Sequence, residues 1–530
     1  MRFLSVNLNC VLIEFPSLEE TIATYHFLQH HQHPHIQEMI PAARTILVYF
    51  NDLFIDAKNL IQWISAQKIN QDFFDTGKEV VIEVNYQGAD LINVAEHVGI
   101  SVEEVIYKHT HSHWQVAFIG FAPGFAYLVS SDHPFTSIPR LASPRKKIRA
   151  GSVGLAGEYS GVYPKDSPGG WQLIGQTDEK MWDIHRAQPA LLLPSDQVIF
   201  KDVRHHPIQI SVPNLPVSPP KNNEKSAIFE VKSVGLQVLI QDDGRKNMSK
   251  LGIGRAGAMD QRAFKSANLI VGNPSDAAVF EILNGGLRLK ALQSTVIAVT
   301  GAAADLWITY ANSDKVQESL YQPIALDAGD EIYIAAPQAG VRNYLAIRGG
   351  LAVERVLESA SYDVLAELGT PPIQVGDQIC AGLLKTQAVN LDQSAIDLPS
   401  KGETVVVDVI LGPRTDWFNQ QSVDMLFNQA WLVTTESNRI GLRLVGEHPL
   451  QREINQELPS EGCCTGAIQV PANGQPVLFM NDHPLTGGYP VIAAVAPYHL
   501  DLVAQLAAGC FIQFRKISDF MDITSHVHTA

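Results

Sequence analysis

The chain has 530 residues, 46% hydrophobic and 18% charged, which is too long for a single hydrophobic core and too apolar for a disordered chain, so two to four domains are expected. A net charge of −16 opposes association with phosphate backbones and anionic membranes, and no run of about 18 uncharged apolar residues offers a membrane span; nucleic-acid and membrane partners are therefore not expected. Cys10, Cys380, Cys463, Cys464 and Cys510 are an odd set without CxxC spacing, which excludes a disulfide framework and a thiolate zinc site and points to the reducing cytoplasm.

The first residues, Met1 to Ser17, are apolar but interrupted by Asn7 and Asn9, with no small-residue cleavage site after them; they read as a buried first strand, not a signal peptide. Through residues 1–85, apolar runs at Thr45–Phe50 and Val80–Val84 alternate with helix-like segments near 17–30 and 56–68, which predicts a small α+β unit. From 86 to 211, after one helical segment near 90–98, strands are short and loops rich in glycine, as in a barrel or sandwich. Residues 212–226 hold four prolines and no apolar periodicity, and so predict a linker. The remainder, 227–530, is mostly β with one clear helix at about Asp260–Leu269. The halves echo each other: Gly151–Gly157 then Pro168–Ile174 in the first, Gly466–Pro471 then Thr486–Ile492 in the second.

Several segments could carry chemistry. His109, His111 and His113 alternate with Thr110 and Ser112, so on a strand they would share one face. With no carboxylate nearby, one functional or buried histidine is preferred to a metal site. The loop Gly120–Leu128 places Gly120 and Gly124 where backbone amides could stabilise an oxyanion. Arg140, Arg145, Lys146, Lys147 and Arg149 then gather positive charge suited to a carboxylate or phosphate. Gly252–Gly257 matches GxGxxG, but a polar, turn-forming segment precedes it where a dinucleotide site needs a strand. Gly257–Asp260 can instead cap the following helix and leave amides that favour an anion. In the last third, Asp482 and His483 stand beside a glycine turn as candidates for proton transfer. There is no GxxxxGK[ST] loop, GxSxG elbow or Met-Lys-Met biotin site.

These segments together resemble a known pair of families, the allophanate hydrolase subunit 1 and subunit 2 domains (KipI and KipA), assigned as the B and C components of 5-oxoprolinase. The resemblance rests on His109, Gly120–Leu128, Pro139–Arg145, Ala150–Gly154 and Ser167–Gly175 in the first half. In the second it rests on Gln241–Asp242, Gly244–Arg245, Gly257–Asp260, Asn268–Asn273, Thr300–Ala302, Ser437–Arg439, Ser460–Gly462, Gly466–Pro471 and Thr486–Pro490. It implies cyclophilin-like β-barrels in both halves with a small α+β unit in front, and two barrel-like subdomains within 227–530. It also implies ATP- and magnesium-dependent opening of 5-oxoproline to glutamate with a separate LamB/YcsF-like 5-oxoprolinase component, at an ATP site shared with or supplied through that component, without covalent biotin. Homo-oligomerisation is left open. His109, Asp482 and His483 become the catalytic candidates. The candidates for substrate or anion binding are Gly120, Gly124, Arg140, Arg145, Lys147, Gly169, Gly170, Gln172, Asp260, Arg439, Glu461, Thr486, Gly487, Gly488 and Tyr489. Gln176, Ala360 and His483 stand where the family pattern carries arginine, which weakens three anion contacts. Two alternatives follow from the same families: a carboxyltransferase module using a partner's biotin, and a sensor-kinase inhibitor without turnover.

Overall fold

The computed structural model of the protein describes residues 1–69, 77–141, 143–204 and 227–524; the linker expected at 212–226 lies outside them. The chain is mostly β. None of its described helices is long and apolar enough to cross a membrane.

The N-terminal unit pairs β1 (Arg2–Asn7), β2 (Cys10–Glu14), β3 (Ile36–Pro41) and β4 (Thr45–Phe50) in the order β3-β4-β2-β1, with α1 (Leu18–His30) and α2 (Ala57–Ser65) alongside. Its strands read as near-continuous apolar runs because both sheet faces are covered. Phe3, Val11, Ile13, Ile46 and Val48 pack on the helices, through Tyr25, Leu28, Leu60 and Ile64. The alternate residues Leu4, Val6, Leu12 and Leu47 pack on the second half of the chain, against Phe479, Leu485, Val491 and Ala494.

The first barrel begins with β5 (Glu79–Val84), assigned from sequence to the small unit. The strand belongs here because it pairs in parallel with β13 (Gln197–Asp202) over six residues. Between them come α3 (Leu91–Val98), α4 (Val102–His111), β6 (Trp114–Ile119), β7 (Ala126–Ser130), β8 (Arg145–Ile148), β9 (Ser152–Ala156), β10 (Tyr159–Val162), β11 (Ser167–Gly169) and β12 (Gln172–Gln176). The sheet runs β12-β9-β10-β7-β6-β13-β5 and closes by reciprocal backbone bonds between Asn85 and Gln176, while β8 and β11 form a separate ribbon.

Eleven strands, β14 (Ala227–Val234) to β24 (Gln378–Cys380), follow in two sheets of six and five, with α5 (Gln261–Ile270) packed outside. A barrel is expected here from the family; the structure gives two open sheets sharing one core of Phe229, Ile282, Leu289, Ile332 and Leu345. The last unit is a closed barrel of β25 (Thr404–Leu411), β26 (Trp431–Val433), β27 (Gly441–Val445), β29 (Ala467–Gln469), β30 (Val477–Phe479), β32 (Val491–Val495) and β33 (Phe511–Ser518). It carries α6 (Gln420–Asn428), α7 (Leu500–Ala504) and a ribbon of β28 (Glu461–Gly462) with β31 (Thr486–Gly487).

The echo between the halves is topological. The closed order β25-β32-β29-β30-β27-β26-β33 repeats β5-β12-β9-β10-β7-β6-β13 strand for strand. First and last strands are parallel in both, and both carry the extra ribbon. The two segment pairs matched by sequence fall on equivalent strands, β9 with β29 and β11–β12 with β31–β32.

The two ends of the chain meet. β34 (Asp522–Thr524) adds an antiparallel edge to β1, Ser5 and Met521 exchange hydrogen bonds, and Arg414 of the second half bonds both Glu14 and Glu461. With an apolar face and a buried ion pair joining the halves, a chain cut by an engineered protease site within 212–226 is expected to elute as one undivided species in gel filtration at about physiological salt; separate elution of the halves would contradict this packing.

Candidate functional site

The Asn481–Pro490 loop of the second barrel links two places where polar residues collect. At its start, Asp482 is 1% exposed and held by Arg439, which donates to both carboxylate oxygens at 2.7 and 2.8 Å. The same guanidinium reaches Glu281 at 2.5 Å and the carbonyl of Gly257 at 2.7 Å. Glu281 also receives Tyr344 Oη and the Met259 amide, each at 2.9 Å, and the two arginines Arg439 and Arg342 hold its carboxyl below its ordinary range despite burial. On the far side of Asp482, Asp363 is pushed up to about 7, by burial first and by Asp482 second.

Beyond this network opens a cavity of about 670 Å³, within the range of small-molecule sites. Three units wall it: Asn7, Asn9, Glu38 and Tyr49 from the N-terminal sheet, Lys246 and Arg255 from the segment before α5 with Gln261 at the start of α5, and Cys464, Asn481, His483 and Asp501 from the second barrel. His483 is fixed on three counts. Its ring stacks on Phe479 at 5.4 Å, its Nδ1 lies 2.8 Å from the carbonyl of Pro484, and burial lowers its pKa. A carbonyl can only accept, so Nδ1 carries the proton and the neutral ring keeps a lone pair on Nε2. Lys246 and Arg255 are exposed, and both pair with Asp243. Glu38 and Asp501 are raised by burial; Ser249 N donates to Glu38, and Asp501 accepts from the amides of Gln261 and Arg262. Asp260, which caps α5 through the Ala263 amide, is pushed up to about 6 by burial and by Asp501. The helix start expected to attract an anion is thus filled by the protein's own carboxylates.

At its other end the loop enters the seam between the barrels, and here the structure brings several predicted residues together. Phe121 N donates to Thr486 Oγ1 at 3.3 Å, and a Cβ on Gly120 would stand 2.5 Å from that oxygen, so only glycine allows the approach. Glu461 and Gly487 pair in the ribbon, Glu461 also being bonded by Arg414. The oxyanion expectation is corrected: the amides of Gly120, Ala122, Gly124 and Phe125 donate to the carbonyls of Phe125, Gly120, Leu251 and Ala122, so the loop is a docking turn with its donors used. The basic stretch also has partners. Arg145 makes a two-pronged pair with Asp90, Lys147 meets Asp166, and Arg140 crosses to Glu457. Gly169 pairs with Arg145 across the first ribbon, Gly170 accepts from Leu141 N, and Gln172 donates to Pro139 O. Gly488 lies near Leu458, and exposed Tyr489 stacks under Arg452.

The histidine expectation is corrected in its geometry. The three residues lie on and just after α4, not a strand, because Ser101 caps Glu104 N, acids fill the first turn and basic residues the last. Helical spacing turns the rings apart. His109 is fully buried between Tyr86 (2.6 Å) and Ser160 (2.8 Å), with a pKa lowered by burial to about 3, while exposed His113 pairs with Asp132. His109 is a neutral core residue, away from the cavity. Where arginines were expected, Gln176 bonds Ala150 O and Ser152, and Ala360, fully buried, gives its amide to Asp242. The sequence reading missed Glu38, Lys246, Arg255 and Asp501. The only signals for this wall were Asn7 and Asn9 breaking an apolar strand.

Paired barrels joined through a glycine seam, with a polar cavity beside them, define a carboxyltransferase-type fold. The carboxyltransferase domain, subdomain A and B, matches residues 251–516, and subdomain C and D matches residues 1–192. The chain belongs to this family and is a fused B/C-type member of it. It is 32% identical over 294 residues to the C component of 5-oxoprolinase from Escherichia coli K12, covering 55% of this chain and 92% of that protein. It is 39% identical over 175 residues to the B component of 5-oxoprolinase from Escherichia coli O157:H7, covering 32% of this chain and 78% of that one. The crystal structure of TTHA0988 superposes with a TM-score of 0.81 at 28% identity, over 96% of this chain and 100% of that chain.

Asp260 gives the site a pH signature. Its folded pKa lies above that of the unfolded chain, so its ionisation costs stability, which falls as pH rises from about 4 to about 6. Asn keeps the helix cap without the charge. Asp260→Asn is expected to flatten that decline by about 2 kcal/mol in urea titrations at pH 4 and pH 6.5; parallel curves for both proteins would refute the assignment.

Proposed function

We propose that the chain is the B and C part of an ATP-dependent 5-oxoprolinase-type enzyme, opening 5-oxo-L-proline to L-glutamate together with a separate LamB/YcsF-like component, and that the cavity holds the lactam. One observation carries this reading: the likenesses to the two components meet in one chain, and the cavity needs both, since its walls come from the N-terminal sheet and from the second half.

Lys246 and Arg255 hold the ligand's carboxylate, competing with Asp243 for the same cations. Asn481 lines the cavity beside them, its Nδ2 donating to Ala258 O at 3.0 Å, and His483 Nε2 accepts a proton from the attacking water. An unstrained amide is a poor electrophile; transfer of ATP's terminal phosphoryl group to the lactam oxygen, with ADP leaving, would activate the carbon, so that water adds, the C–N bond breaks with a proton passing to nitrogen, and the acyl phosphate that results is hydrolysed to glutamate and phosphate. Exposed Lys246 and Arg255 suit a phosphate as well as a carboxylate. The nucleotide's magnesium and most phosphate contacts are assigned to the LamB/YcsF-like component; among the described residues of this chain, no group of three His, Cys, Asp or Glu is arranged to take a metal ion.

The test is glutamate release from 5-oxoproline by the purified chain with its candidate LamB/YcsF-like partner, with and without ATP; no release with ATP present sinks the proposal. His483→Ala is expected to slow release by roughly 10²–10⁴-fold. Because burial lowers the histidine's pKa, the acid limb of kcat/KM should lie below about pH 6.5 and vanish in the variant. The carboxyltransferase match supports a second reading, carboxyl transfer from a partner's biotin, which retention of a biotinylated protein would favour.

A further inference from the structure

The barrels share every strand, yet their extra ribbons meet different fates. The second ribbon is covered. Glu461, Gly462 and Thr486 are buried, with Phe121 N of the first barrel on Thr486 and the N-terminal unit behind, where Ala43 N bonds Ser460 O. The equivalent first ribbon is open: Lys146, Lys147 and Pro168 are exposed, with Arg149 and Arg140 beside them. A surface that buries another unit in one copy is uncovered in the other.

The open copy also differs in charge and in unmet hydrogen bonding. Five cations stand within ten positions, in a chain of net charge −16. Arg145, Lys147 and Arg140 are paired with Asp90, Asp166 and Glu457, whereas Lys146 and Arg149 have no carboxylate within ion-pair distance among the described residues. Ser167 Oγ, on the ribbon, and Gln172 Oε1, just past it, are buried without hydrogen-bond partners, an arrangement that proteins rarely leave unanswered.

We propose that the first ribbon is a docking surface for an acidic segment of a partner protein, seated on Lys146 and Arg149 as the first barrel is seated on the second ribbon. If the proposed function holds, the segment belongs to the LamB/YcsF-like component; the surface itself does not rest on that reading.

The probe is a fluorescent ten-residue poly-glutamate peptide, titrated by anisotropy into the full chain, the double variant K146E/R149E and the charge-matched control K385E/R443E, all changes at exposed positions. The wild type and control are expected to bind with an affinity that falls with salt, and K146E/R149E to bind at least tenfold more weakly with an unchanged melting temperature. Absence of binding to the wild type, equal loss in the control, or displacement of the peptide by ATP at equimolar concentration would overturn the proposal. Binding of the purified LamB/YcsF-like component is measured in parallel. Its failure to bind while the peptide result holds counts against the proposed function alone, and tight binding that K146E/R149E leaves unchanged counts against the ribbon as its dock.

Discussion

Arg439 is the point on which the site's geometry depends. One guanidinium, 2% exposed, bonds Asp482 of the cavity loop, Glu281 of the open sheets and the Gly257 carbonyl in the segment carrying Arg255. Two walls of the cavity are therefore fixed by one side chain. Such a network adds little net stability, because desolvating the charges opposes their attraction. Its effect is positional: Asp482 has one orientation in which both oxygens are satisfied, and that orientation presents His483 to the cavity. Gly257 fits only because its φ of +88° lets the carbonyl face Arg439, a conformation that side chains resist.

The duplication explains why the cavity needs the whole chain. In the second barrel the outward-facing residues Ala467 of β29, Val477 and Phe479 of β30, and Val491 and Ala494 of β32 are covered by the N-terminal sheet, which belongs by sequence to the first half. The exchange makes both faces of that sheet internal, so its strands lose the alternation of a half-exposed sheet. β34 then completes the edge from the opposite end of the chain.

Periodic segments were legible in the sequence: α1, α2, α3 and α5 fall where helical spacing places them, and the glycine-rich echo correctly marked equivalent strands. What failed were readings that depend on distant partners. His109 alternates as a strand would, yet the capping signal at Ser101 and Glu104 outweighs that pattern. The strand at Glu79–Val84 could be placed only by its pairing with β13, more than a hundred residues on. The cavity was least legible, because Glu38, Lys246 and Asp501 are unremarkable in sequence and acquire meaning only when three units converge.

Glycine-rich loops are poor guides to catalysis unless their amides are counted. In the Gly120–Phe125 turn every such donor is spent on a carbonyl or on Thr486, so the loop's flexibility serves close approach between barrels. The same count applied to the cavity gives the opposite result. His483 uses Nδ1 and retains Nε2, while Gln261 Oε1 at the wall is buried without a partner. Unspent hydrogen-bonding capacity, not glycine content, therefore separates a surface that binds a ligand from one that binds the protein to itself. Such capacity is not enough by itself, since Gln241 Oε1, Arg245 Nη1 and Asn343 Oδ1 are also buried without partners; at the cavity and at the first ribbon it coincides with exposed cations, Lys246 and Arg255 in one and Lys146 and Arg149 in the other, local positive charge in a chain whose net charge is −16.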